Sequence, residues 1–463
     1  MTMKLSHLAL PLAVITTLIS GCSVLSDTPE PFGAVPSPEQ LVWQRMEINM
    51  FCHFGPNTFT GVEWGSGQEA GEVFAPKALD CRQWVDVAEQ AGMGGIILTA
   101  KHHDGFCLWP SVYSTHTVSD TFNVLRQFVD ACHAGGMKAG VYISPWDRNH
   151  PTYGTSEYND VFTNTLKEVH ASYGPFFEQW FDGACGEGPS GKKQHYDWPR
   201  FMRTVYENNP QCVIFSDIGP GCRWVGNEEG HTGDPCWSTL NTVGATPSDN
   251  KPAPAALETG HQGASAWVPA EVDVSIRPGW FWHPNEHPMT VDKLMEIYYN
   301  SVGRNGLLLL NVPPDTCGRI AAEDSAVLVA FRAERDRIFS KDLAQGAKIK
   351  ATSEFGSQYT AENLLDTAYH SYWASVDSRA TITIKLDKKK TFDIIVLQEY
   401  IPLGQRVSRF HVECGGKRFD ATTIGYKRIV RLSESVTTDL ITVIIDSSLA
   451  PPILNRISLH RSK

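Results

Sequence analysis

The sequence predicts an α/β protein in which a (β/α)8-like barrel is followed by an antiparallel β-sandwich. Three observations support this fold class. Short apolar segments alternate with amphipathic helical segments over about the first three quarters of the 463 residues. Polar residues cluster directly after the apolar segments. Beyond about residue 345, the apolar residues adopt the two-residue period of an antiparallel sheet.

The composition fits a large folded protein with no affinity for nucleic acids. Hydrophobic residues make up 42% of the chain, which is enough for a large buried core, and the length exceeds that of one ordinary domain. The 40 lysines and arginines are outnumbered by 51 acidic residues, which gives a formal net charge of −11. Nucleic-acid binding needs clustered positive charge, so we expect no nucleic-acid partner.

Residues 1–22 have the features of an export signal. Lys4 provides a positive start, residues 8–18 are apolar, and small residues precede Cys22. The apolar run is too short to span a bilayer comfortably. The segment resembles a bacterial lipobox, which implies that Cys22 is lipidated and becomes the first residue of the mature chain; a plain secretory signal is the alternative. Residues 23–37 are polar and proline-rich and would form a tether. We therefore expect an exported lipoprotein of the outer membrane that faces either the periplasm or the cell surface.

The other ten of the 11 cysteines are spread along the chain without a CxxC pair. A zinc site is therefore not expected. Export would permit disulfides, but the spacing indicates no particular pairing, and most of these cysteines are expected to be buried small residues.

Residues 38–344 are predicted to form the barrel. The candidate strands lie at 48–54, 95–100, 138–144, 176–181, 212–216, 271–276 and 307–312. The candidate helices lie at 81–91, 121–134, 157–171, 198–207, 291–302 and 322–339. The strands are apolar on both faces, which is typical of a parallel sheet covered by helices. Within the first helix, Trp84, Val87 and Ala88 have the i, i+3, i+4 spacing of a buried helix face.

Seven strands leave the barrel one short, and a degenerate eighth unit is expected near 231–265. An open, doubly wound sheet is the alternative architecture. It is less favoured because no GxGxxG turn follows the first strand.

Residues 345–463 are predicted to form the β-sandwich. Ile382, Ile384 and Leu386 alternate with polar residues, and two more β-rich runs follow at 394–397 and 440–445. No segment with helical spacing separates them, so the segment is expected to be a second, all-β domain.

The functional residues of a barrel occupy the C-terminal ends of its strands and the loops that follow. Polar residues follow almost every candidate strand here, in the segments 52–55, 101–106, 144–148, 182–183, 216–217, 223–229 and 277–283. Their recurrence at the same end of the strands predicts an active site at that end.

Each of these residues also has a structural interpretation. A single buried histidine such as His53 is more often a hydrogen-bonded core residue than a ligand. His102 and His103 are a poor metal pair, because neighbouring strand residues point to opposite faces and both could reach one ligand only if the strand ends there. Asp182 could cap a helix. However, it directly follows an apolar strand, where an unused carboxylate is costly, and this favours a functional role.

The chemistry that fits these residue types is glycoside hydrolysis. The reaction uses one ionised carboxylate close to the anomeric carbon and one protonated carboxyl group that releases the leaving oxygen. Polar side chains bind the sugar hydroxyls, and aromatic faces contact its apolar side. No metal or nucleotide cofactor is required.

Four motifs carry a resemblance to a known family: HFG at 53–55, EWG at 63–65, KHHDGF at 101–106 and WFDG at 180–183. Over roughly residues 40–340, in consistent order, the chain resembles glycoside hydrolase family 29, the retaining α-L-fucosidases. The resemblance implies that Asp182 is the nucleophile that forms a covalent fucosyl-enzyme. It also implies that the fucose pocket is lined by His53, Glu63, Trp64, His102 and His103, with Trp282 near the methyl group. Trp146 and Arg277, which follow other strands, are further expected substrate contacts.

The segment 216–230 resembles the family branch whose acid/base residue follows a W-x-G-N-E stretch, which implies Glu228, with Glu229 as the competitor. By this resemblance the substrates are oligosaccharides or glycoconjugates with fucose linked α-1,3 or α-1,4 to N-acetylglucosamine beside a galactose, as in Lewis-type glycans. The alternatives are a broader or α-1,2/1,6 linkage preference, a barrel hydrolase for another hexose, and a fucose-binding surface lectin. A lectin would lack a carboxylate at position 182 or 228.

The C-terminal segment resembles a discoidin-like carbohydrate-binding module. The resemblance rests on ATS at 351–353, NLLD at 363–366, SYW at 371–373, LQEY at 397–400 and GQRV at 404–407. It implies binding to sugars or surfaces, with packing against the catalytic domain as the alternative. It also allows a structural Ca²⁺ near Asp366, whereas no other cofactor is expected.

Overall fold

The computed structural model describes residues 28–462. The predicted signal peptide, Cys22 and the start of the tether lie outside the described residues. Among the helices within that range, none is both long enough and apolar enough to cross a membrane.

The barrel predicted from the sequence is confirmed. Between residues 28 and 345 the structure has ten strands: β1 (Ile48–Cys52), β2 (Gly95–Lys101), β3 (Lys138–Ile143), β4 (Glu178–Trp180), β5 (Val213–Ser216), β6 (Cys222–Trp224), β7 (Thr239–Leu240), β8 (Ala266–Trp267), β9 (Ala270–Ser275) and β10 (Leu307–Asn311). Eight of them form a closed parallel barrel in the order β1-β2-β3-β4-β5-β6-β9-β10, and β10 pairs with β1. Strands β7 and β8 pair with each other outside the barrel.

Helices connect the strands and cover the barrel. They are α1 (Pro38–Met46), α2 (Pro56–Thr60), α3 (Cys81–Ala91), α4 (Val124–Gly135), α5 (Ser156–Tyr173), α6 (Trp198–Asn208), α7 (Pro254–Thr259), α8 (Val291–Asn300) and α9 (Ala322–Phe339). Helix α3 shows how the local sequence sets their ends. The Asp80 side chain accepts a hydrogen bond from the Gln83 N–H (3.0 Å) at its start, and Gly92 ends it at φ 68°. Trp84 and Ala88 are buried as the spacing predicts.

The eighth barrel strand lies outside the region where the sequence analysis expected it. It is β6, a three-residue strand at a position where the sequence analysis predicts no strand, and it pairs with β5 and β9. The segment 231–265 contributes only β7 and α7, both outside the barrel. The sequence does not indicate this strand, because it contains the charged residue Arg223. In the structure the Arg223 guanidinium is buried and donates hydrogen bonds to the carbonyl groups of Trp237, Leu257 and Val268. This arginine therefore anchors the insertion that follows.

Helix α1 closes the N-terminal end of the barrel. Its Trp43 is buried among interior side chains of the strands, and its indole N–H donates to a carboxyl oxygen of Glu178 (2.8 Å). The Trp180 indole similarly donates to Glu271 (2.9 Å). Burial raises the pKa of Glu178 to about 7 and that of Glu271 well above its ordinary value. The barrel interior thus contains two carboxyl groups that depend on indole donors.

Replacement of Trp43 by phenylalanine should destabilise the protein through the loss of this donor. Trp198→Phe is the matched control, because Trp198 is also buried but its indole N–H has no partner in the described part of the chain. We expect Trp43→Phe to lower the free energy of unfolding by about 1–3 kcal/mol more than Trp198→Phe. Loss of the donor raises the pKa of Glu178 further, so the extra loss should grow as pH rises above about 7. Urea denaturation across this pH range measures the difference; equal losses in the two variants would contradict it.

The C-terminal segment is an antiparallel sheet domain, as expected. Its strands are β11 (Lys348–Ala351), β12 (Trp373–Ala374), β13 (Ala380–Glu399), β14 (Val407–Cys414), β15 (Lys417–Ala421), β16 (Arg428–Ser448) and β17 (Ile453–His460). They form one seven-stranded sheet in the order β12-β17-β13-β16-β14-β15, with β11 also paired to β13. The long strands β13 and β16 carry register shifts, which let one sheet bend around its own core. Membership of the discoidin-like modules stays a sequence-based prediction.

The sheet packs directly on the barrel. Along β13, Ile395 and Leu397 belong to the core of the sheet, whereas Ile394 and Val396 join the apolar cluster of the barrel. Residues 31–462 accordingly belong to one compact unit. The barrel and the sheet are therefore in contact because β13 is apolar on both faces.

Hydrogen bonds from the sheet domain also hold the segment that follows β6. The guanidinium of Arg428 donates to both carboxyl oxygens of Asp234 (2.8 and 3.0 Å). The Thr423 hydroxyl accepts from the Cys236 N–H (2.9 Å). Burial alone would raise the pKa of Asp234, but the hydrogen bonds and charge of Arg428 outweigh it and hold the pKa below its ordinary value. The ion pair therefore persists at neutral pH.

The cysteines are free throughout the described residues. Eight are buried, Cys185 is half-buried and Cys317 is exposed, which agrees with the expectation that most are small core residues.

Candidate active site

A cavity of about 390 Å³ opens at the C-terminal end of the barrel strands. Its lining residues are Phe51, His53, Glu63, Trp64, His102, His103, Trp180, Asp182, Ala184, Glu228, Asp273 and Trp280. The structure therefore brings together both proposed catalytic carboxyl groups and five of the expected sugar contacts. A hollow of about 490 Å³ at the opposite end of the barrel, beneath α1, has a single carboxylate in its lining, that of Glu39. It therefore lacks the pair of carboxyl groups that glycoside hydrolysis requires.

Asp182 follows β4 and is held by several donors. The Tyr142 hydroxyl donates to one carboxyl oxygen (3.0 Å), and the Ala184 N–H donates to the other (2.7 Å). His103 Nε2 lies 3.7 Å from the first oxygen, and a quarter of the Asp182 side chain remains exposed to the cavity. No helix starts at Asp182 in the described chain, so the alternative of a helix cap is not supported. The carboxylate is fixed and accessible, as a nucleophile must be.

Strand β2 ends at Lys101, so His102 and His103 lie beyond the strand and their side chains need not point to opposite faces. The rings of His102 and His103 lie 4.2 Å apart, centroid to centroid, and both line the cavity. His103 Nδ1 is 2.7 Å from the Ser144 hydroxyl, and His53 Nδ1 is 2.9 Å from the Asn311 carboxamide oxygen. These partners orient the rings.

All three histidines of the cavity are neutral at neutral pH. Burial lowers the pKa of His53 and of His103 to about 4, and that of His102 well below its ordinary value. A neutral imidazole offers one donor and one acceptor nitrogen. The arrangement therefore suits the hydroxyl groups of a sugar, which can donate and accept in the same way.

Glu63 and Trp64 lie on the loop after α2. The Glu63 carboxylate accepts a hydrogen bond from the Trp280 backbone N–H (2.9 Å) and lies 2.9 Å from His283 Nε2. Trp64 is 59% exposed and meets the ring of His103 edge-on. The loop thus places a charged acceptor and a broad apolar face at the rim of the cavity.

Of the two candidate acid/base residues, only Glu228 lines the cavity. Burial raises its pKa, and the nearby charges of Asp182 and Glu63 raise it further, against the opposite effect of a hydrogen bond from the Trp280 indole (3.3 Å). Glu229 has an 80% exposed side chain beside His231. It lines a separate groove of about 430 Å³, which Glu228 also borders.

The loop that carries Glu228 is closed by Asn227. Its side chain accepts from the Glu229 N–H (3.0 Å) and donates to the carbonyl of His231 (3.2 Å) and to Glu258 of α7 (3.1 Å). The preceding Gly226 has φ 97°, and a Cβ there would lie 2.6 Å from the Pro254 carbonyl oxygen. Only glycine fits this approach of the loop to α7.

Three expected contacts lie elsewhere. The Arg277 side chain is fully buried and pairs with Asp324 (2.9 Å) and Glu323 of α9. Trp282 lies near the Arg277 guanidinium and outside the cavity lining. The buried Trp146 donates its indole N–H to the Glu187 carbonyl and supports the ring of His103 from behind. None of the three side chains belongs to the lining of the cavity.

The cavity also contains residues that the sequence analysis did not select. Phe51, Trp180 and Asp273 are strand residues that point into the barrel, and Trp280, rather than Trp282, lines the cavity from the loop after β9. The available signal was the two-residue period of the strands. In AEVDVS (270–275), Glu271 and Asp273 alternate with valines, which indicates a polar interior facing the cavity.

One group of potential metal ligands occurs in the described part of the chain, formed by Glu178, Cys222 and Glu271 inside the barrel. The indole donors of Trp43 and Trp180 already bind its two carboxyl groups, and burial raises the pKa of both carboxyls, so protons can balance their charge. Asp366, proposed for Ca²⁺, is not part of such a group, and its side chain accepts a hydrogen bond from the Ala368 N–H. Backbone carbonyl oxygens also bind Ca²⁺, so a Ca²⁺ ion near Asp366 stays a sequence-based prediction.

Comparisons with known proteins identify similar sequences and structures. A family model described as "Alpha-L-fucosidase" matches residues 34–332. The chain is 38% identical to Alpha-L-fucosidase 1 of Arabidopsis thaliana, over 97% of this chain and 92% of that protein. Among solved structures, SpGH29 is 36% identical with a TM-score of 0.89, covering 94% of this chain and all of that one. A Ruminococcus gnavus GH29 fucosidase in complex with fucose is 30% identical with a TM-score of 0.86, covering 94% and 97%.

Proposed function

The chain belongs to the family of α-L-fucosidases, and we propose that it releases terminal L-fucose with retained configuration, with Asp182 as the nucleophile and Glu228 as the acid/base. The observation that carries this proposal is the shared cavity of the two carboxyl groups. Asp182 is fixed by hydrogen-bond donors, whereas burial and neighbouring acids raise the pKa of Glu228. Such a difference in environment separates the nucleophile from the acid.

The first step forms the covalent intermediate. A carboxylate oxygen of Asp182 attacks the anomeric carbon while the bond from that carbon to the glycosidic oxygen breaks. The Glu228 carboxyl group gives its proton to this oxygen, so the leaving sugar departs as a neutral alcohol. The fucosyl ester on Asp182 has the inverted, β configuration.

The second step releases the sugar. The Glu228 carboxylate takes a proton from water as the water oxygen attacks the anomeric carbon and the bond to Asp182 breaks. The second inversion restores the α configuration, and Glu228 is protonated again. The neutral rings of His53, His102 and His103 hold the fucose hydroxyls through both steps, and the aromatic walls cover its apolar parts.

We further propose that the preferred linkages are α-1,3 and α-1,4 in Lewis-type glycans. The W-x-G-N-E stretch at 224–228 supports this preference. The groove bordered by Glu228 also supports it, because it offers polar side chains to a leaving sugar; these include Glu229, His231, Lys293 and Asn300.

A panel of fucosides tests the proposed substrate class. We expect fucose release from Lewis a and Lewis x trisaccharides to exceed release from 2′-fucosyllactose and from α-1,6-fucosylated N-acetylglucosamine by about 100-fold in kcat/KM. Comparable kcat/KM values for all four fucosides would contradict the linkage proposal and would indicate a broad linkage preference. Cleavage of another hexoside, or binding of fucose without turnover, would reject the proposed function.

The export route is likewise a proposal, supported by the sequence of residues 1–22. We propose that Cys22 is lipidated and attaches the enzyme to the outer membrane. In a bacterial host, metabolic labelling with palmitate should label the wild-type protein and not a Cys22→Ala variant, which should leave the membrane fraction. An unlabelled wild-type protein in the soluble fraction would instead support a plain secretory signal.

A further inference from the structure

A third carboxyl group faces the reaction centre. Asp273 lies on β9, is 2% exposed and lines the cavity with Asp182 and Glu228. Its Oδ1 atom is buried and has no hydrogen-bond partner in the part of the chain that the structure describes. A buried carboxyl oxygen without a partner is costly unless a ligand completes its hydrogen bonds.

The charges of the cavity cannot all be balanced by cations. Its lining contains four carboxyl groups, those of Glu63, Asp182, Glu228 and Asp273, and no lysine or arginine. The nearby Lys101 is already paired with Asp147 (3.1 Å), and the cavity histidines are neutral. This shortage of cations favours the protonated form of the most buried of the four carboxyl groups.

Asp273 is the member of this set that is least suited to carry a charge. Asp182 and Glu63 each accept a backbone N–H, which stabilises a carboxylate. Asp273 is buried beside Glu228 and Asp182, with Glu271 two residues earlier on the same strand. Burial raises the pKa of Asp273 well above its ordinary value, and the charges of Glu228 and Asp182 raise it further, against the opposite effect of hydrogen bonds from its own backbone N–H and from Trp224.

We propose that Asp273 is a further catalytic residue, which stays protonated through the reaction and donates its O–H to the C2 hydroxyl of the bound fucose. The inference rests on the proposed function, because Asp182 must reach the anomeric carbon and Glu228 the leaving oxygen. Asp273 lies near both of these carboxyl groups, and C2 is the hydroxyl-bearing ring carbon next to the anomeric carbon, so the C2 hydroxyl is the group assigned to it. No proton is transferred, so Asp273 leaves Asp182 free to be ionised and Glu228 free to exchange its proton.

Two variants separate a neutral Asp273 from an ionised one. Asparagine has the shape of aspartic acid and carries no charge. We expect Asp273→Asn to keep kcat/KM for 4-nitrophenyl α-L-fucoside within about tenfold, with both limbs of the pH profile within about 0.3 pH units of wild type. Asp273→Ala should lose about 10²–10³-fold, as when one donor to a transition state is removed.

An ionised Asp273 predicts a different result. Its replacement by asparagine would remove a negative charge beside Glu228, lower the pKa of Glu228 and move the alkaline limb to lower pH. Such a shift would overturn the inference without affecting the proposed function. An inactive wild-type protein would reject the proposed function itself.

A deoxy substrate tests the contact with the sugar. In the wild type, 4-nitrophenyl 2-deoxy-α-L-fucoside should lose an interaction that Asp273→Ala has already lost. We therefore compare the ratio of kcat/KM for 4-nitrophenyl α-L-fucoside to kcat/KM for its 2-deoxy analogue. This ratio should be smaller in Asp273→Ala than in the wild type by about tenfold or more. Equal ratios in both proteins would reject the contact. Thermal melting confirms folding of the variants, and Asp273→Ser replaces the alanine variant if that variant is unfolded.

Discussion

Replacement of Asp182 by alanine is expected to lower kcat/KM for aryl α-L-fucosides by about 10⁴-fold or more, because no group then forms the covalent intermediate. The neighbouring contacts survive this change. Tyr142 remains on β3, and Glu228 still lines the cavity. Steady-state kinetics with 4-nitrophenyl α-L-fucoside measure the loss. Azide should restore turnover in the variant by filling the space of the missing carboxylate, and the product should be the β-fucosyl azide.

The matched control is Asp217→Asn. Asp217 is also buried, follows the next strand, β5, and pairs with Lys251 outside the cavity (3.1 Å). We expect this variant to keep activity within about tenfold, since it touches no reacting atom. A near-normal rate in Asp182→Ala, or an azide product of α configuration from that variant, would assign the nucleophile to another residue.

Replacement of Glu228 by alanine is expected to have the second-largest effect, and the effect should depend on the leaving group. A general acid contributes about 10²–10⁴-fold, so this loss is expected for oligosaccharides, whose leaving alcohols need a proton. A 2,4-dinitrophenyl fucoside needs none and should lose far less in its first step. With added azide the product should be the α-fucosyl azide, because azide replaces water in the second step.

The neighbouring Glu229 provides the control for Glu228. It differs by one position and is exposed outside the cavity, so Glu229→Ala should stay within about threefold of wild type on 4-nitrophenyl α-L-fucoside, which has no leaving sugar to bind in the groove. The raised pKa of Glu228 favours its protonated form, and activity falls as higher pH removes the proton. The alkaline limb should therefore persist in Glu229→Ala and vanish in Glu228→Gln. The reverse pattern would make Glu229 the acid.

The regular features of the barrel could be predicted from the sequence, and its exceptions could not. Strands such as β10 are continuous apolar runs, and α3 has a clear period and a capping residue at each end. Strand β6 has three residues, one of them an arginine whose charge is satisfied by distant carbonyl groups. Spacing carries no information about partners that are far away in sequence. The eighth strand was therefore misplaced.

The same distinction applies to the cavity. His53, His102 and Asp182 lie at or just after the ends of strands, where a barrel carries its functional residues, and the family motifs that contain them imply the same location. In the loop after β9, the direction of each side chain depends on how the backbone turns. Trp280 faces the cavity, whereas the buried Asp324 draws Arg277 to α9. The direction of the Arg277 side chain thus depends on an acidic partner 47 residues later in the chain. A local sequence pattern cannot predict such a partner.

The anchoring of Asp234 and Cys236 by the C-terminal sheet has a consequence for how this enzyme can be divided or recombined. The segment that carries the proposed proton donor begins on the barrel and is fastened to the other domain only a few residues later. Neither half is therefore an interchangeable module. A chimera of this barrel with an unrelated C-terminal domain would keep the nucleophile in place but would lose the contacts that hold the segment with the proposed acid.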